Sequence, residues 1–259
     1  MAEPFTTAQV DQFAEDGFLV VPNVVDQRRR DACLRAVNHW ISTEFDRSEF
    51  DTYREQTFAR PFTTAPETLA LVTETAALGL AAALVGRPVL SPTDGQFALR
   101  FPVAPGTEPR APVAHLDGLP APSNGIPADG DIRLFSVLAG VLLSDMEAEG
   151  HGNFTVWPGS HVQMASWFAQ NGTRFRDASV VFDAVAEIAK RRPPAAVCGR
   201  AGDLILAHSL LLHGSGRHTG PAIRYIAFFR LDTEARAGLG DSVFTDVWAE
   251  WETIRARRS

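Results

Sequence analysis

The 259-residue sequence predicts a mainly β fold with helices on its flanks. Two observations favour this class. Between residues 88 and about 232, short apolar runs alternate with turns rich in Pro and Gly, a rhythm typical of a closed or double-sheet antiparallel fold. Before residue 86 and after residue 243, apolar residues instead recur at helical spacing. We find no internal repeat and no low-complexity linker, so we expect one domain over 1–259.

The helical parts can be placed element by element. The first helix has Thr7 as its predicted N-cap and ends at Gly17. Basic residues at the end of the last helix suit the helix dipole. The other predictions are, in order, a strand over 18–25, an amphipathic helix over 27–45, a helix over 66–86 closed by Gly86, a helical interlude over about 177–192 and a C-terminal helix over about 243–257.

Composition and charge exclude several classes of function. The net charge of −7 argues against nucleic acid as a partner, because neutralising phosphates needs clustered Lys and Arg. The two cysteines, Cys33 and Cys198, are too few for a disulfide framework, and the acidic N-terminus is unlike a signal peptide. The most apolar run, 134–143, is too short to cross a bilayer. We therefore expect a cytoplasmic monomer or homodimer that binds neither nucleic acid nor membrane.

The stretch AHLDGLP (114–120) places two candidate metal ligands, His115 and Asp117, two positions apart. Residues i and i+2 of a strand project from the same face, so both side chains can reach one metal ion. A lone match of this kind arises easily by chance. The interpretation therefore depends on the other candidate ligands in the chain.

A second motif lies in LLHGSGRHTGPAIRY (211–225), where a predicted strand ends at His213, turns through glycines and returns with Arg224. A hairpin of this length can bring both residues to one mouth of a barrel. Two His and one carboxylate form the facial triad of non-haem Fe(II) oxygenases, and an Arg beyond it can grip a distal carboxylate.

Seven histidines compete for the two ligand places. His208 is the main rival of His213, but the HGS context and the eleven-residue spacing to Arg224 favour His213. We expect His151 and His218 to be exposed in Gly-rich turns, and His161 to form hydrogen bonds.

With these motifs the sequence resembles the phytanoyl-CoA dioxygenase family of Fe(II)/2-oxoglutarate-dependent oxygenases. The resemblance implies a double-stranded β-helix core of the jelly-roll or cupin-like kind, with flanking helices. It also implies Fe(II), 2-oxoglutarate as co-substrate, and O₂. The matching stretches occur in the family's order and are FAEDGFLVVPNVVD (13–26), HLD (115–117), GNFTVWPGSH (152–161), AGDLILAH (201–208) and LLHGSGRHTGPAIRY (211–225).

The resemblance also assigns roles to residues of this chain. It implies that His115, Asp117 and His213 hold iron and act in catalysis. It implies that Arg224 binds the C5 carboxylate of 2-oxoglutarate, with Ser215 nearby. The remaining candidates are Gln96 and, more weakly, Thr155 for the 2-oxoglutarate pocket, and Arg100 and Trp157 for the substrate, although a Trp in this context is more often a core residue.

The implied function is oxidation of an unactivated C–H bond, by hydroxylation as the default and by desaturation or ring formation as variants. The segment 118–133 departs from the family's common pattern, so the substrate stays open. We favour a small metabolite, because no basic cluster offers itself to the phosphates of coenzyme A. One lysine against 23 arginines points to a GC-rich bacterial genome, and in such an organism a substrate from specialised metabolism is favoured. The alternatives are an acyl-CoA hydroxylase and a non-catalytic or zinc-binding β-barrel protein.

Overall fold

A computed structural model describes residues 4–46, 48, 62–103, 106–108, 110–120 and 126–258. The helices are α1 (Thr7–Asp16), α2 (Gln27–Thr43), α3 (Pro66–Thr73), α4 (Ala77–Val85), α5 (Ser160–Asn171), α6 (Ser179–Ala189), α7 (Arg236–Leu239), α8 (Ser242–Thr245) and α9 (Glu252–Arg258). The strands are β1 (Phe18–Val21), β2 (Gln96–Arg100), β3 (Val137–Leu142), β4 (Phe154–Val156), β5 (Ala195–Ala196), β6 (Leu204–His208), β7 (His213–Ser215) and β8 (Arg224–Leu231).

Within the described residues the strands form two sheets. The larger has the order β1-β6-β3-β8-β2 and the smaller β5-β4-β7. Every pairing between these strands is antiparallel. This confirms the predicted mainly β, double-sheet antiparallel class with flanking helices.

The larger sheet is covered on both faces. Along β3, Val137, Ala139 and Val141 pack against the N-terminal helices and the C-terminal α9; we call this cluster the outer core. The intervening Leu138 and Leu142 instead pack with Phe154 and Val156 of the smaller sheet; this cluster is the inner core. The alternation follows from the two-residue period of a strand.

The same alternation sets the direction of the arginines on β8. Ala227 and Phe229 lie in the outer core, whereas Ile226 and Phe228 lie in the inner core. Arg224 and Arg230 have the parity of the inner-core residues and so project between the sheets. The inner face of β8 therefore carries a guanidinium group near each of its ends.

Several boundaries differ from the predicted ones for identifiable reasons. The N-cap of α1 is Thr6 rather than Thr7, because the Thr6 hydroxyl accepts from the Gln9 backbone and the Gln9 side chain accepts from the Thr6 N–H, a capping box. The first strand stops at Val21, since Asn23 adopts a φ of 55° and its N–H binds Asp203.

The helix predicted over 66–86 is two helices, α3 and α4. Thr75 lies at the break, where its hydroxyl donates to the Leu71 carbonyl oxygen and accepts from the Ala77 N–H. Such side-chain bonds compete with the helical ladder. Among the described residues no single helix has the length and apolarity to cross a bilayer; α3 and α4 reach that threshold only as a pair, which bends by 49°.

The remaining helices also differ in part from the predictions. The interlude expected over 177–192 is α6, a little shorter than predicted. The preceding helix α5 was not predicted; it follows Gly159, whose φ of 77° turns the chain out of β4. The C-terminal helix expected over 243–257 is instead two short helices, α8 and α9.

Two histidines are buried together beneath the C-terminal segment. His161 and His208 are 0% and 3% exposed, with their rings 5.3 Å apart. His208 stacks on Trp251, and its Nδ1 accepts from the Leu210 N–H while its Nε2 lies 2.8 Å from the Val247 carbonyl oxygen. Burial lowers the pKa of His208 to about 4, and burial followed by the neighbouring His208 lowers the pKa of His161.

Because these two histidines are buried in their neutral form, we expect the free energy of unfolding to fall in mild acid. In the unfolded chain both imidazoles regain a pKa of about 6.5, so below that pH the unfolded state binds more protons than the folded state. The neutral, buried imidazoles therefore make their full contribution to the free energy of unfolding above pH 6.5. This contribution is lost as the pH falls towards 4, and it amounts to about 1.4 kcal/mol for each unit by which the folded and unfolded pKa values differ.

Urea unfolding of the wild type and of His208→Gln at pH 7.5 and 5.0 measures this effect. We expect the free energy of unfolding of the wild type to fall more steeply with acidification than that of the variant. The exposed His39→Gln serves as the matched control and should keep the wild-type slope. Parallel pH profiles for the wild type and His208→Gln would contradict the assignment.

Candidate metal centre

Three side chains with metal-ligating atoms converge beside the inner core: His115, Asp117 and His213. One ligand atom from each lies within 4.8 Å of the other two. Asp117 Oδ1 is 3.7 Å from Nε2 of each histidine, and the two imidazole centroids are 4.3 Å apart. Within the described ranges no other cluster of three His, Cys, Asp or Glu meets this criterion.

The two histidines are brought together by the main chain. His115 N–H donates to the His213 carbonyl oxygen at 2.9 Å, and His213 N–H donates back at 3.1 Å. Gly214 permits this close approach, because a Cβ at that position would lie 2.4 Å from the Val113 carbonyl oxygen. The HGS motif therefore needs a glycine at this position, because no side chain fits beside the Val113 carbonyl oxygen.

Asp117 reaches the cluster from a turn rather than from a regular strand. Leu116 is buried in a third apolar cluster, formed with α5 and α6, so that the residues on either side of it face the other way. The turn continues through Gly118, whose φ is 83° and whose absent Cβ would meet the Arg133 carbonyl oxygen at 2.4 Å. Only glycine fits this position without strain.

Hydrogen bonding and charge prepare the three ligands. His213 Nδ1 lies 2.9 Å from the Leu211 carbonyl oxygen, which can only accept, so Nδ1 carries the proton and Nε2 is left as a donor for a metal. Burial and then His213 lower the pKa of His115 to about 4, although the negative charge of Asp117 opposes this shift. Burial raises the pKa of Asp117, but the surrounding His213, Arg230 and His115 outweigh it and hold the pKa below its usual range.

Arg224 occupies the other end of the inner face and is 2% exposed. Its Nη2 donates to Ser215 Oγ at 3.3 Å, while its buried Nε has no hydrogen-bond partner within the described ranges. Among the described residues no carboxylate forms an ion pair with it. Burial and then the nearby Arg100 lower the pKa of this guanidinium. Because arginine stays charged in proteins, this arrangement fits an anionic ligand.

Two further candidates lie on β2, also on the inner face. Arg100 is the cross-strand partner of Arg224 and adds positive charge at that end, with its Nη1 donating to the Leu99 carbonyl oxygen. Gln96 lies towards the metal-ligand end, where its Oε1 accepts from Arg230 Nη1.

The structure does not bring Thr155 or Trp157 to the inner face. Thr155 pairs with Gly214 and donates to the Asn153 carbonyl oxygen, whereas its neighbours Phe154 and Val156 point into the inner core. Trp157 is 5% exposed and packs in the cluster with α5 and α6. The core role that is commoner for such a Trp is the one observed.

Two histidine predictions need correction. His218 was expected to be exposed but is 7% exposed, because it pairs with His151 across the Gly-rich turns and its Nε2 lies 2.7 Å from the Ala222 carbonyl oxygen. His161 was expected to form side-chain hydrogen bonds, yet neither of its buried ring nitrogens has a well-aligned partner among the described residues, and only the main chain of Ala14 acts weakly on the ring in this way.

Arg230 was not singled out from the sequence, although it contacts a candidate ligand directly. Its Nε and Nη2 lie 3.1 and 2.9 Å from Asp117 Oδ2. Its guanidinium carbon lies 5.7 Å from the centre of the Phe135 ring. The sequence could have revealed it, because Arg230 follows Arg224 by six residues on the same predicted strand, and an even separation places both side chains on one face.

Comparison with known proteins identifies the family. The model of the phytanoyl-CoA dioxygenase family matches residues 13–226. No curated protein matches significantly.

Solved structures share the fold. The α-ketoglutarate-dependent carbocyclase SnoK from nogalamycin biosynthesis is 21% identical, with a TM-score of 0.64 over 89% of this chain and 85% of that one. EctD from S. alaskensis, solved with 2-oxoglutarate and 5-hydroxyectoine, is 21% identical, with a TM-score of 0.57 over 89% and 77%. HygX from Streptomyces hygroscopicus, solved with nickel and 2-oxoglutarate, is 20% identical, with a TM-score of 0.56 over 89% and 88%.

These likenesses establish a common architecture and confirm the expected double-stranded β-helix core. The family match covers most of the sequence, including all three candidate ligands, Ser215 and Arg224. The chain belongs to the phytanoyl-CoA dioxygenase family.

Proposed function

We propose that the protein is an Fe(II)- and 2-oxoglutarate-dependent oxygenase that oxidises an unactivated C–H bond of a small metabolite. The observation that carries this proposal is that a three-ligand cluster and Arg224, a buried guanidinium without an anionic partner among the described residues, both face the space between the two sheets. The first fits a divalent metal, and the second fits the far carboxylate of a 2-oxo acid.

The donor set suits Fe(II). Two imidazoles and one carboxylate occupy three positions of an octahedral ion and leave three for other ligands, as in non-haem iron oxygenases. His115 and His213 offer Nε2 atoms and Asp117 offers Oδ1. Bound there with 2-oxoglutarate and O₂, the iron would supply the oxidising chemistry.

The residues of the chain would hold and orient the co-substrate. Arg224 would bind its C5 carboxylate through a charge-assisted pair, with the Ser215 hydroxyl beside it and the Arg100 charge reinforcing it. Phe154 packs against both His213 and Phe228, at ring distances of 5.3 and 5.2 Å. It would keep water from the space between the three metal ligands and Arg224, which we call the clamp.

The family membership supports this proposal, and so do the structural neighbours. SnoK is an α-ketoglutarate-dependent carbocyclase, and EctD and HygX were each solved with 2-oxoglutarate. We favour hydroxylation of a small metabolite, with desaturation and ring formation as variants, because the basic runs 28–30 and 190–192 lie on α2 and just after α6, where the described structure does not place them at the candidate metal centre.

Succinate formation tests the reaction class. Anaerobic addition of Fe(II) and 2-oxoglutarate should give a visible charge-transfer band, and O₂ should then convert 2-oxoglutarate to succinate. A metabolite panel should contain a compound that gains one oxygen or loses two hydrogens. The exposed Arg200→Gln is the control and should behave as the wild type. Absence of both the band and succinate, with hydrolysis supported by Zn²⁺, would favour the zinc-binding alternative.

A further inference from the structure

We propose that Arg230 positions the Asp117 carboxylate, so that one oxygen is presented to the metal and the other is held away from it. The inference rests on the proposed metal centre and extends it to a residue beyond the three ligands. Arg230 would act through Asp117 and is therefore a positioning residue.

The two oxygens of Asp117 have different partners. Oδ1 faces Nε2 of both His115 and His213 at 3.7 Å. Oδ2 faces away from them and receives two N–H groups of Arg230, from Nε at 3.1 Å and from Nη2 at 2.9 Å. The carboxylate is 11% exposed, so water competes little for its lone pairs.

Arg230 is itself held in place. Its remaining terminal nitrogen, Nη1, donates to Gln96 Oε1 on the neighbouring strand β2. Phe135 packs against the guanidinium, and the backbone of β8 is paired with both β2 and β3. The guanidinium plane is thus fixed from three directions, although 40% of the side chain remains exposed.

This arrangement determines how many coordination positions Asp117 takes. A carboxylate can bind a cation through one oxygen or through both. With the Oδ2 lone pairs engaged by Arg230, Asp117 would bind a metal ion through Oδ1 alone and leave the remaining positions for other ligands. Without Arg230, the carboxylate could rotate and chelate the ion, which would close one of those positions.

The guanidinium also repels a bound cation, so two effects oppose each other. Exposure of 40% of the Arg230 side chain places its charge within reach of solvent and counter-ions, which screen the repulsion. Fixing a ligand through its outer hydrogen bonds typically contributes about 10- to 100-fold in metal affinity. We therefore infer that orientation outweighs repulsion and that loss of Arg230 weakens metal binding.

Titration of the full-length protein with Co²⁺ as the only metal tests the proposal. Arg230→Gln should bind Co²⁺ about 10- to 100-fold more weakly than the wild type. Its visible d–d spectrum should also change, because the second carboxylate oxygen replaces an exchangeable ligand. Arg230→Lys keeps the charge but lacks the planar pair of N–H donors that contacts Asp117. Its Co²⁺ affinity should lie between those of the wild type and Arg230→Gln. The exposed Arg200, which pairs with Glu147 and with none of the three ligands, is the control, and Arg200→Gln should match the wild type.

A purely structural salt bridge predicts a different result. It would lower the melting temperature of the metal-free protein while leaving the Co²⁺ affinity and spectrum of the folded fraction unchanged; that outcome would overturn the proposal. If Arg230→Gln does not fold, Gln96→Leu removes only the hydrogen bond that holds the Arg230 guanidinium in place. This variant should also bind Co²⁺ more weakly than the wild type, by a smaller factor. Wild-type affinity and spectrum in both Gln96→Leu and Arg230→Lys would also overturn it.

The outcome separates this inference from the proposed function. A wild type that binds Co²⁺ but never converts 2-oxoglutarate would refute the oxygenase and leave the role of Arg230 to be decided by the Co²⁺ titration. A wild type that binds no divalent metal would refute both. Turnover with unchanged Co²⁺ binding in the Arg230 variants would refute the positioning role alone.

Discussion

Replacing His213 with alanine is expected to abolish metal binding. His213 provides one of three ligand atoms, already oriented by its hydrogen bond to the Leu211 carbonyl oxygen. Since losing an outer hydrogen-bond partner costs about 10- to 100-fold in affinity, losing a ligand itself should cost more. The charge-transfer band formed by Fe(II) and 2-oxoglutarate measures the effect, and His115→Ala should lose it equally.

His208 provides the matched control for this prediction. It precedes Arg224 on a similar apolar run, yet both of its ring nitrogens lie at hydrogen-bond distance from main-chain atoms. His208→Gln should therefore keep the band at neutral pH. Loss of the band in His208→Gln together with its retention in His213→Ala would show that the wrong histidine has been assigned.

Replacing Arg224 with alanine is expected to raise the KM for 2-oxoglutarate about 10- to 150-fold while metal stays bound. A charge-assisted hydrogen-bonded pair contributes about 1.5–3 kcal/mol, and the burial of Arg224 excludes competing water. Succinate formation at increasing 2-oxoglutarate gives the KM, and Co²⁺ titration reports whether the metal end is intact.

Arg100→Ala is the natural companion variant. Arg100 is the cross-strand partner of Arg224 but donates to the Leu99 carbonyl oxygen, so its removal should raise the KM by a smaller factor. An unchanged KM in Arg224→Ala with a large increase in Arg100→Ala would move the clamp to Arg100.

The parts of the site that the sequence predicts are those encoded locally or in a short hairpin. His115 and Asp117 are two residues apart, with Leu116 between them turned into an apolar cluster. His213 and Arg224 flank one turn, and the glycine between His213 and Ser215 is demanded by the Val113 carbonyl oxygen. Short-range spacing and steric need leave a pattern in the sequence.

The parts that escaped prediction depend on long-range packing. Arg230 meets Asp117 across 113 positions of the chain, and its role follows from strand register rather than from any neighbouring residue. The burial of His218 likewise depends on a partner segment, around His151. The break at Thr75 is different in kind, because it depends on two local hydrogen bonds of its hydroxyl, to the Leu71 carbonyl oxygen and from the Ala77 N–H, which helical periodicity does not reveal.

The main-chain bridge between His115 and His213 has a consequence for how the protein responds to metal supply. The two residues are 98 positions apart, so their Nε2 atoms come together only after the chain has folded. An ion bound by this pair recognises the native state and not the unfolded one, and it stabilises the native state by mass action. At 100 times its dissociation constant the gain is about 2.7 kcal/mol. Cells starved of the ion would therefore hold a protein that unfolds, and is degraded, more readily.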